Sequence, residues 1–149
     1  MESDSHVKSR TSLCRLIGLE RFGSLEGTLS VVENGPDSPL GYDVRRVFYV
    51  FDTPSGAERG GHSHHADHET LVALAGSFDV LLDDGSADGL RRVTLKSPDT
   101  ALLIPPGIWR SMENFSAGSV CMVLAELPYD EADYVRDYDE FLRLTSSKR

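Results

Sequence analysis

Short runs of alternating apolar and polar residues make up most of the chain, and turn-forming residues separate them. Runs of this length and period predict β-strands. The predicted strands are Thr28–Glu33, Val44–Phe51, Glu69–Ala75, Ser77–Leu82, Leu90–Leu95, Thr100–Ile104, Ile108–Asn114 and Ser119–Ala125. No segment of helical period joins two of these strands, so the pattern favours an all-β antiparallel domain over a parallel α/β sheet.

The segment after Pro128 has a different pattern. Between Tyr129 and Leu142, apolar and aromatic residues recur at helical spacing, and Asp130 is suited to cap the start of a helix. The sequence therefore predicts a short C-terminal helix whose tyrosines pack on the outside of the β-domain and have no catalytic role. Residues 1–12 are polar and predict a disordered segment, residues 13–145 a single domain, and residues 146–149 a tail.

Composition narrows the range of partners. The chain has 149 residues with 40% hydrophobic content, which fits one globular domain, and its formal net charge of −9 argues against nucleic acid binding. No run reaches the ~20 apolar residues of a membrane span, and the first residues lack a signal-peptide core. Cys14 and Cys121 show no metal-ligand spacing, so we expect reduced thiols, no membrane partner and a cytoplasmic protein.

Two histidines one residue apart form the most informative motif. On an extended chain, His62 and His64 point to the same side, because side chains alternate between faces. With Glu69 and Gly76 they read H-x-H-x4-E-x6-G, and the segment 105–114 reads P-x-G-x2-R-x3-N. These two halves resemble the paired motifs of the cupins, and the resemblance implies an antiparallel β jelly-roll barrel.

Arg110 stands where a metal-binding cupin has a histidine. A guanidinium has no lone pair to donate, so the site is predicted to hold no metal or other cofactor, and to use His62 and His64 for proton transfer. Glu69 occupies the position of the cupin carboxylate ligand. Two roles compete there, ligation of a metal and an ion pair with Arg110. A metal-dependent or ligand-sensing cupin that uses His62, His64 and Glu69 is therefore the alternative.

Three other residues are candidates for substrate binding, together with Arg110 and Glu69. Arg59 precedes two glycines that allow a close approach of backbone to ligand. Arg46 and Tyr49 lie on one predicted strand at odd spacing, so only one of them is expected to line the cavity.

Several segments resemble, in the same order, the sugar 3,4-ketoisomerases of deoxysugar biosynthesis, also called the WxcM-like or FdtA-type family. They are Arg46–Phe51, Arg59–His64, Gly76–Gly85, Ile104–Arg110 and Tyr129–Phe141. The resemblance implies a metal-free homodimer that converts a dTDP-linked 4-keto-6-deoxyhexose, such as dTDP-4-keto-6-deoxyglucose, into its 3-keto isomer. It also implies that His62 and His64 are catalytic and that Arg59 opens the family signature.

The chemistry of such an isomerase fits two imidazoles. A base must remove the C3 proton, a carrier must move a proton between the oxygens of an enediol-like intermediate, and C4 must be protonated. We assign His64 as the carbon base and His62 as the shuttle, and the reverse order stays open. One arginine would stabilise the enolate and another the diphosphate.

The chain departs from the family pattern at Ser63, at His65 and at Glu69, where the relatives tend to have alanine, a basic residue and glutamine. Arg110 occupies a variable position that could influence the configuration at C4 of the product.

Overall fold

The computed structural model describes residues 10–146. The strands are β1 (Arg15–Gly18), β2 (Glu20–Ser24), β3 (Gly27–Val31), β4 (Arg46–Val50), β5 (Arg59–His64), β6 (Glu69–Ala75), β7 (Phe78–Asp83), β8 (Leu90–Leu95), β9 (Thr100–Ile104), β10 (Trp109–Glu113), β11 (Val120–Ala125) and β12 (Tyr134–Val135). Two 3-10 helices cover Arg10–Leu13 and Glu131–Asp133, and the α-helix α1 covers Tyr138–Ser146.

Two five-stranded antiparallel sheets form the body of the fold. Their spatial orders are β1-β9-β6-β11-β4 and β12-β5-β10-β7-β8, whereas β2 and β3 form a separate hairpin. One core cluster contains Phe78 and Val80 from the second sheet with Leu102 and Ile104 from the first, so the sheets pack face to face. The predicted fold class, an antiparallel β jelly-roll barrel of the cupin type with a short C-terminal helix, is confirmed.

Glycine at the end of β6 illustrates how local geometry fixes the chain path. Gly76 has a φ of +65°, and a Cβ there would lie 2.9 Å from the Cα of Ser119. Only glycine fits this turn without displacing the neighbouring backbone. The turn leads directly into β7 and thereby joins the two sheets.

All eight predicted strands are present, with ends that differ from the prediction by at most two residues. The pattern did not single out β1, β2, β5 and β12, although the histidine motif of β5 was taken to lie on an extended chain. In β2 all five side chains are exposed, so there is no buried face to produce alternation. With only two residues, β12 is too short for a period to be visible.

The predicted start of the C-terminal helix was wrong. Asp130 caps a 3-10 helix, accepting a hydrogen bond from the Ala132 backbone at 3.0 Å, and the chain then pairs with β5 as β12. The α-helix begins only at Tyr138. Hydrogen bonding to the open edge of β5 prevails over the helical pattern, because an unpaired edge would leave backbone groups without partners.

The predictions for the chain ends fall mostly outside the described residues. Residues 1–9 and 147–149 lie there, while Arg10–Leu13 form a 3-10 helix. The boundaries of the predicted domain stay a prediction. Among residues 10–146, no helix combines the length and the apolar character that crossing a bilayer requires.

Candidate active site

The two motif histidines lie on β5 and face the space between the sheets. On one side β5 pairs with β10, where Arg110 is opposite His62, and on the other with β12, where Tyr134 is opposite His64. A β-bulge interrupts the first ladder, because the next pair is Met112 with Arg59. This is two residues along β10 but three residues along β5. This pairing brings residues from three strands around one pair of imidazoles.

The imidazoles contact each other through their Nε2 atoms, which are 3.1 Å apart. The rings stand edge to face with centroids 4.8 Å apart. The side chain of His64 is 0% exposed, whereas that of His62 is 15% exposed. His62 is therefore the member of the pair that a ligand reaches first.

Glu69 joins the histidine pair to a buried arginine. Its Oε1 lies 3.1 Å from His64 Nε2 and accepts a hydrogen bond from Arg110 Nη1 at 3.0 Å. Arg110 also donates to the Ile108 carbonyl at 2.9 Å, so its guanidinium is held rigidly although it is only 3% exposed. Burial raises the pKa of Glu69, but the neighbouring histidines and Arg110 outweigh burial and hold it well below the ordinary value. Glu69 is therefore ionised at neutral pH.

The protonation of His62 follows from the same surroundings. Burial lowers its pKa below the ordinary value of 6.5, Glu69 partly opposes that shift, and the positive charge of Arg110 adds to it. His62 is thus neutral at pH 7 and able to accept a proton. Its Nδ1 is a buried atom that has no hydrogen-bond partner among the described residues.

A second arginine reaches the site from the opposite sheet. Arg46 Nη2 lies 3.3 Å from Asp67 Oδ2 and 3.7 Å from Glu69 Oε2, and it donates to the Tyr134 hydroxyl at 3.3 Å. The Tyr134 ring in turn lies against His64, with centroids 4.4 Å apart. Arg46 and Tyr134 therefore form one wall beside the histidines.

Asp133 completes the surroundings of His64. Its Oδ2 lies 3.0 Å from His64 Nδ1, on the opposite side of the ring from Glu69. The same carboxylate accepts backbone hydrogen bonds from Ala66 at 2.8 Å and Asp67 at 3.2 Å. The 3-10 helix that carries Asp133 is thereby fastened to the turn after β5.

The predicted site residues separate into two groups. The structure brings together His62, His64, Glu69, Arg110 and Arg46. Arg59 and Tyr49 lie apart from them: Arg59 is exposed at the start of β5, and Tyr49 is 63% exposed on the outer face of β4. As the odd spacing predicts, Arg46 and Tyr49 face opposite sides of their strand, and Arg46 is the one at the cavity.

Sequence reasoning missed Asp133 and Tyr134. Both were placed in a predicted helix, and the tyrosines of that segment were assigned to outer packing, which is wrong for Tyr134. The pair lies about 70 residues from the histidines, and only the β12–β5 pairing brings them close. The available signal was the inclusion of this segment in the family resemblance.

The ligand atoms of His62, His64 and Glu69 lie within 4.8 Å of one another, a grouping with the chemistry of a metal site. The fit is poor on electrostatic grounds. Arg110 already binds the Glu69 oxygen that faces the histidines, and a cation there would meet its buried positive charge. The predicted absence of a metal stays a prediction.

Comparison with known proteins identifies the family. The family model described as WxcM-like, C-terminal, and called FdtA, matches residues 12–146. The chain belongs to this family. A TDP-4-oxo-6-deoxy-alpha-D-glucose-3,4-oxoisomerase of Aneurinibacillus thermoaerophilus is 39% identical over 127 residues, which are 85% of this chain and 88% of the relative. The family predicted from the sequence is confirmed.

Solved structures of FdtA-type proteins have the same fold. QdtA, a sugar 3,4-ketoisomerase from Thermoanaerobacterium thermosaccharolyticum in complex with TDP, superposes with a TM-score of 0.85 at 32% identity, over 91% of this chain and 96% of that chain. The WlaRB TDP-quinovose 3,4-ketoisomerase from Campylobacter jejuni gives a TM-score of 0.80 at 38% identity, over 87% and 97%. A QdtA variant has been solved with TDP-4-keto-6-deoxyglucose.

Proposed function

We propose that the protein is a 3,4-ketoisomerase that converts a dTDP-linked 4-keto-6-deoxyhexose, such as dTDP-4-keto-6-deoxyglucose, into its 3-keto isomer. The observation that carries the proposal is the pair of touching imidazoles, His62 and His64, inside the barrel of an FdtA-type chain. The activity predicted from the sequence agrees with the named activity of the oxoisomerase relative. The metal-dependent alternative has no comparable support.

The unequal exposure of the histidines supports a division of roles. His62 is partly exposed and neutral, with an unpartnered Nδ1, so we assign it as the base that removes the C3 proton. The electrons of the broken C–H bond form an enediolate, and its O4 takes the proton that leaves O3. Protonation of C4 then leaves the ketone at C3. His64 is buried behind His62 and exchanges protons with it, which reverses the order that the sequence favoured.

The surrounding charges suit the intermediate. Arg46 reaches the same space as His62, and a guanidinium there stabilises the oxyanion that develops on the sugar. Arg110 is neutralised by Glu69 and enclosed, so its role is to hold the carboxylate in place. Binding of the diphosphate by Arg59, which is exposed beside Gly60 and Gly61, stays part of the proposal.

Deuterium exchange tests the proposal. In D₂O the wild-type protein, treated with chelator, incorporates deuterium at C3 of dTDP-4-keto-6-deoxyglucose, and His62→Asn abolishes incorporation because the carbon base is gone. The matched control is His65→Asn, since His65 is exposed and adjacent in the chain. Exchange that persists in His62→Asn contradicts the assignment of the base. Activity that chelator removes and a metal restores supports the metal-dependent alternative.

The proposal includes a homodimer. Within residues 10–146 the β2–β3 hairpin pairs with no other strand, and it exposes Phe22 (56%), Leu25 (106%) and Leu29 (57%). An isolated two-stranded hairpin is marginally stable in water, so these apolar side chains require a covering surface. On the outer face of β4, Val47 and Tyr49 present a second exposed apolar area of the kind that a second copy would bury.

A cytoplasmic location is also part of the proposal. Cys14 and Cys121 are free and buried, and burial raises their pKa values to about 11 and about 12. Both are therefore protonated thiols with no disulfide partner. Unpaired thiols are typical of a reducing compartment.

A further inference from the structure

His64 has a carboxylate on each side, and only one of them lies towards His62. Glu69 contacts Nε2, the nitrogen that also faces His62, whereas Asp133 contacts Nδ1 on the far side. We propose that Asp133 is a positioning residue that keeps a proton on Nδ1 of His64, so that Nε2 is the nitrogen that exchanges protons with His62. This inference rests on the proposed isomerase function.

The hydrogen-bond geometry determines where the proton lies. An ionised carboxylate only accepts hydrogen bonds, so the 3.0 Å contact between Asp133 Oδ2 and His64 Nδ1 requires a proton on that nitrogen. The side chain of His64 is 0% exposed, so water has no access to take the place of the carboxylate. Nε2 is therefore the His64 nitrogen left for proton exchange, and it lies 3.1 Å both from Nε2 of His62 and from Oε1 of the ionised Glu69.

Asp133 is itself held in place. Its two oxygens accept the backbone hydrogen bonds of Ala66 and Asp67, and its own carbonyl accepts one from the His65 backbone at 2.9 Å. Rotation of the carboxylate away from His64 would leave two backbone N–H groups without their acceptor. Its position is thus fixed by the turn after β5, independently of any ligand.

This arrangement favours proton transfer in the direction that the reaction needs. When His62 has taken the C3 proton, its Nε2–H faces Nε2 of His64, and a proton accepted there also meets the negative charge of Glu69. Transfer of that proton produces an imidazolium whose two N–H groups point to Asp133 and Glu69. Stabilising a buried imidazolium and fixing its tautomer are what a buried aspartate does for the catalytic histidine of serine proteases.

Asp133→Asn tests the inference with little change in shape. Each orientation of the amide loses a contact: with its oxygen on the Ala66 N–H, the amide nitrogen faces both His64 Nδ1 and the Asp67 N–H, and with its oxygen towards His64 the Ala66 N–H has no acceptor. In both orientations the negative charge that stabilises the His64 imidazolium is gone, and an amide nitrogen facing the ring also removes the acceptor that holds the Nδ1 proton. We expect kcat to fall by about 100-fold or more, with KM within about twofold of wild type, because the substrate contacts are retained.

Asp130→Asn is the matched control. Asp130 belongs to the same 3-10 helix, is exposed, and caps it through a 3.0 Å bond to the Ala132 backbone. Asparagine caps equally well, so this variant removes the same charge from the same element and leaves His64 untouched. We expect unchanged kcat and an unchanged melting temperature.

Nitrogen-15 NMR of histidine-labelled protein measures which ring nitrogen of His64 carries the proton. A purely structural role of Asp133 would leave that measurement unchanged. The expected result is a protonated Nδ1 on His64 in the wild type, and a smaller fraction of rings protonated on Nδ1 in Asp133→Asn. An unprotonated Nδ1 in the wild type overturns the inference, and so does a folded Asp133→Asn that retains kcat within threefold. If Asp133→Asn does not fold, the wild-type spectrum decides alone. If even Asp130→Asn and the wild type fail to isomerise the sugar nucleotide, the proposed function fails, and the spectrum still decides the role of Asp133.

Discussion

Among single residues, Glu69 depends most strongly on its neighbours. The carboxylate is 3% exposed and is ionised because Arg110, His62 and His64 surround it. Breaking a buried ion pair by neutralising one partner leaves the other charge uncompensated. In Glu69→Gln, the partner left without a counter-charge is the Arg110 guanidinium.

We expect Glu69→Gln to lower the free energy of unfolding by about 3 kcal/mol at pH 7. The folded-state pKa of Glu69 lies below its ordinary value of 4.5, so its stabilisation is complete above that pH and is lost as pH falls towards the folded pKa. Urea unfolding at pH 7 and at stepwise lower pH should therefore show the two proteins converging in acid.

Glu131→Gln is the matched control for this experiment. Glu131 pairs with Arg136 at the surface, where both side chains are more than half exposed, so the same substitution should leave stability unchanged at pH 7. A wild type and a Glu69→Gln variant that differ by the same amount at every pH would contradict the linkage.

The convergence of His62, His64, Glu69 and Arg110 could be predicted because it depends on local rules. Strand alternation places the histidines on one face, and the two cupin-like motifs place the carboxylate and the arginine across the barrel from each other, on β6 and β10. Asp133 could not be predicted in this way. Its contact with His64 depends on the pairing of the two-residue strand β12 with the edge of β5, and no period in the sequence encodes that pairing.

At the scale of elements, α1 depends on one buried ring. Phe141 is 1% exposed and packs against Trp109, with ring centroids 5.6 Å apart, and against Tyr138 at 5.8 Å. The hydroxyl of Tyr138 donates to Asp83 at the end of β7, which adds a polar contact to the apolar one. Together these contacts fix the helix on the outside of the second sheet.

Phe141→Ala should lower the free energy of unfolding by about 3–5 kcal/mol, because it removes a fully buried ring and leaves a cavity. Urea denaturation followed by tryptophan fluorescence reports on the change, since Trp109 is the neighbouring ring. Arg143→Ala on the exposed face of the same helix is the control and should be neutral. A loss below about 1 kcal/mol in Phe141→Ala would show that α1 is not packed as described.

The same elements show why strand prediction succeeded and helix prediction failed. Most of the predicted strands bury part of one face, as β10 does with Arg110 and Met112 inward, and the exception is β3, in which only Val31 is half-buried. The segment from Tyr129 to Leu142 has helical spacing as well, but competition for the edge of β5 divides it into a 3-10 helix, a strand and α1. The hydrophobic pattern of this segment carries no information about its pairing with β5, which is distant in the sequence.

For the whole molecule, we expect a dimer because the β2–β3 hairpin exposes apolar side chains. Phe22→Asp places a charge on the surface that we propose a second copy covers, and it should halve the mass measured by light scattering. Leu90→Asp is the control, because Leu90 is 74% exposed and lies on β8, which belongs to a different sheet from the hairpin. A wild type that is already monomeric, or a Phe22→Asp protein that stays dimeric, would contradict the assignment of this surface.

The fastening of the 3-10 helix to the turn after β5 has a consequence for how the enzyme matures. The ribosome synthesises residues 131–135 after both histidines and after β1 to β11. A nascent chain that ends before Asp133 carries its imidazoles but leaves Nδ1 of His64 without the carboxylate and the edge of β5 without a partner. The site is therefore completed late, when β12 pairs with the edge of β5.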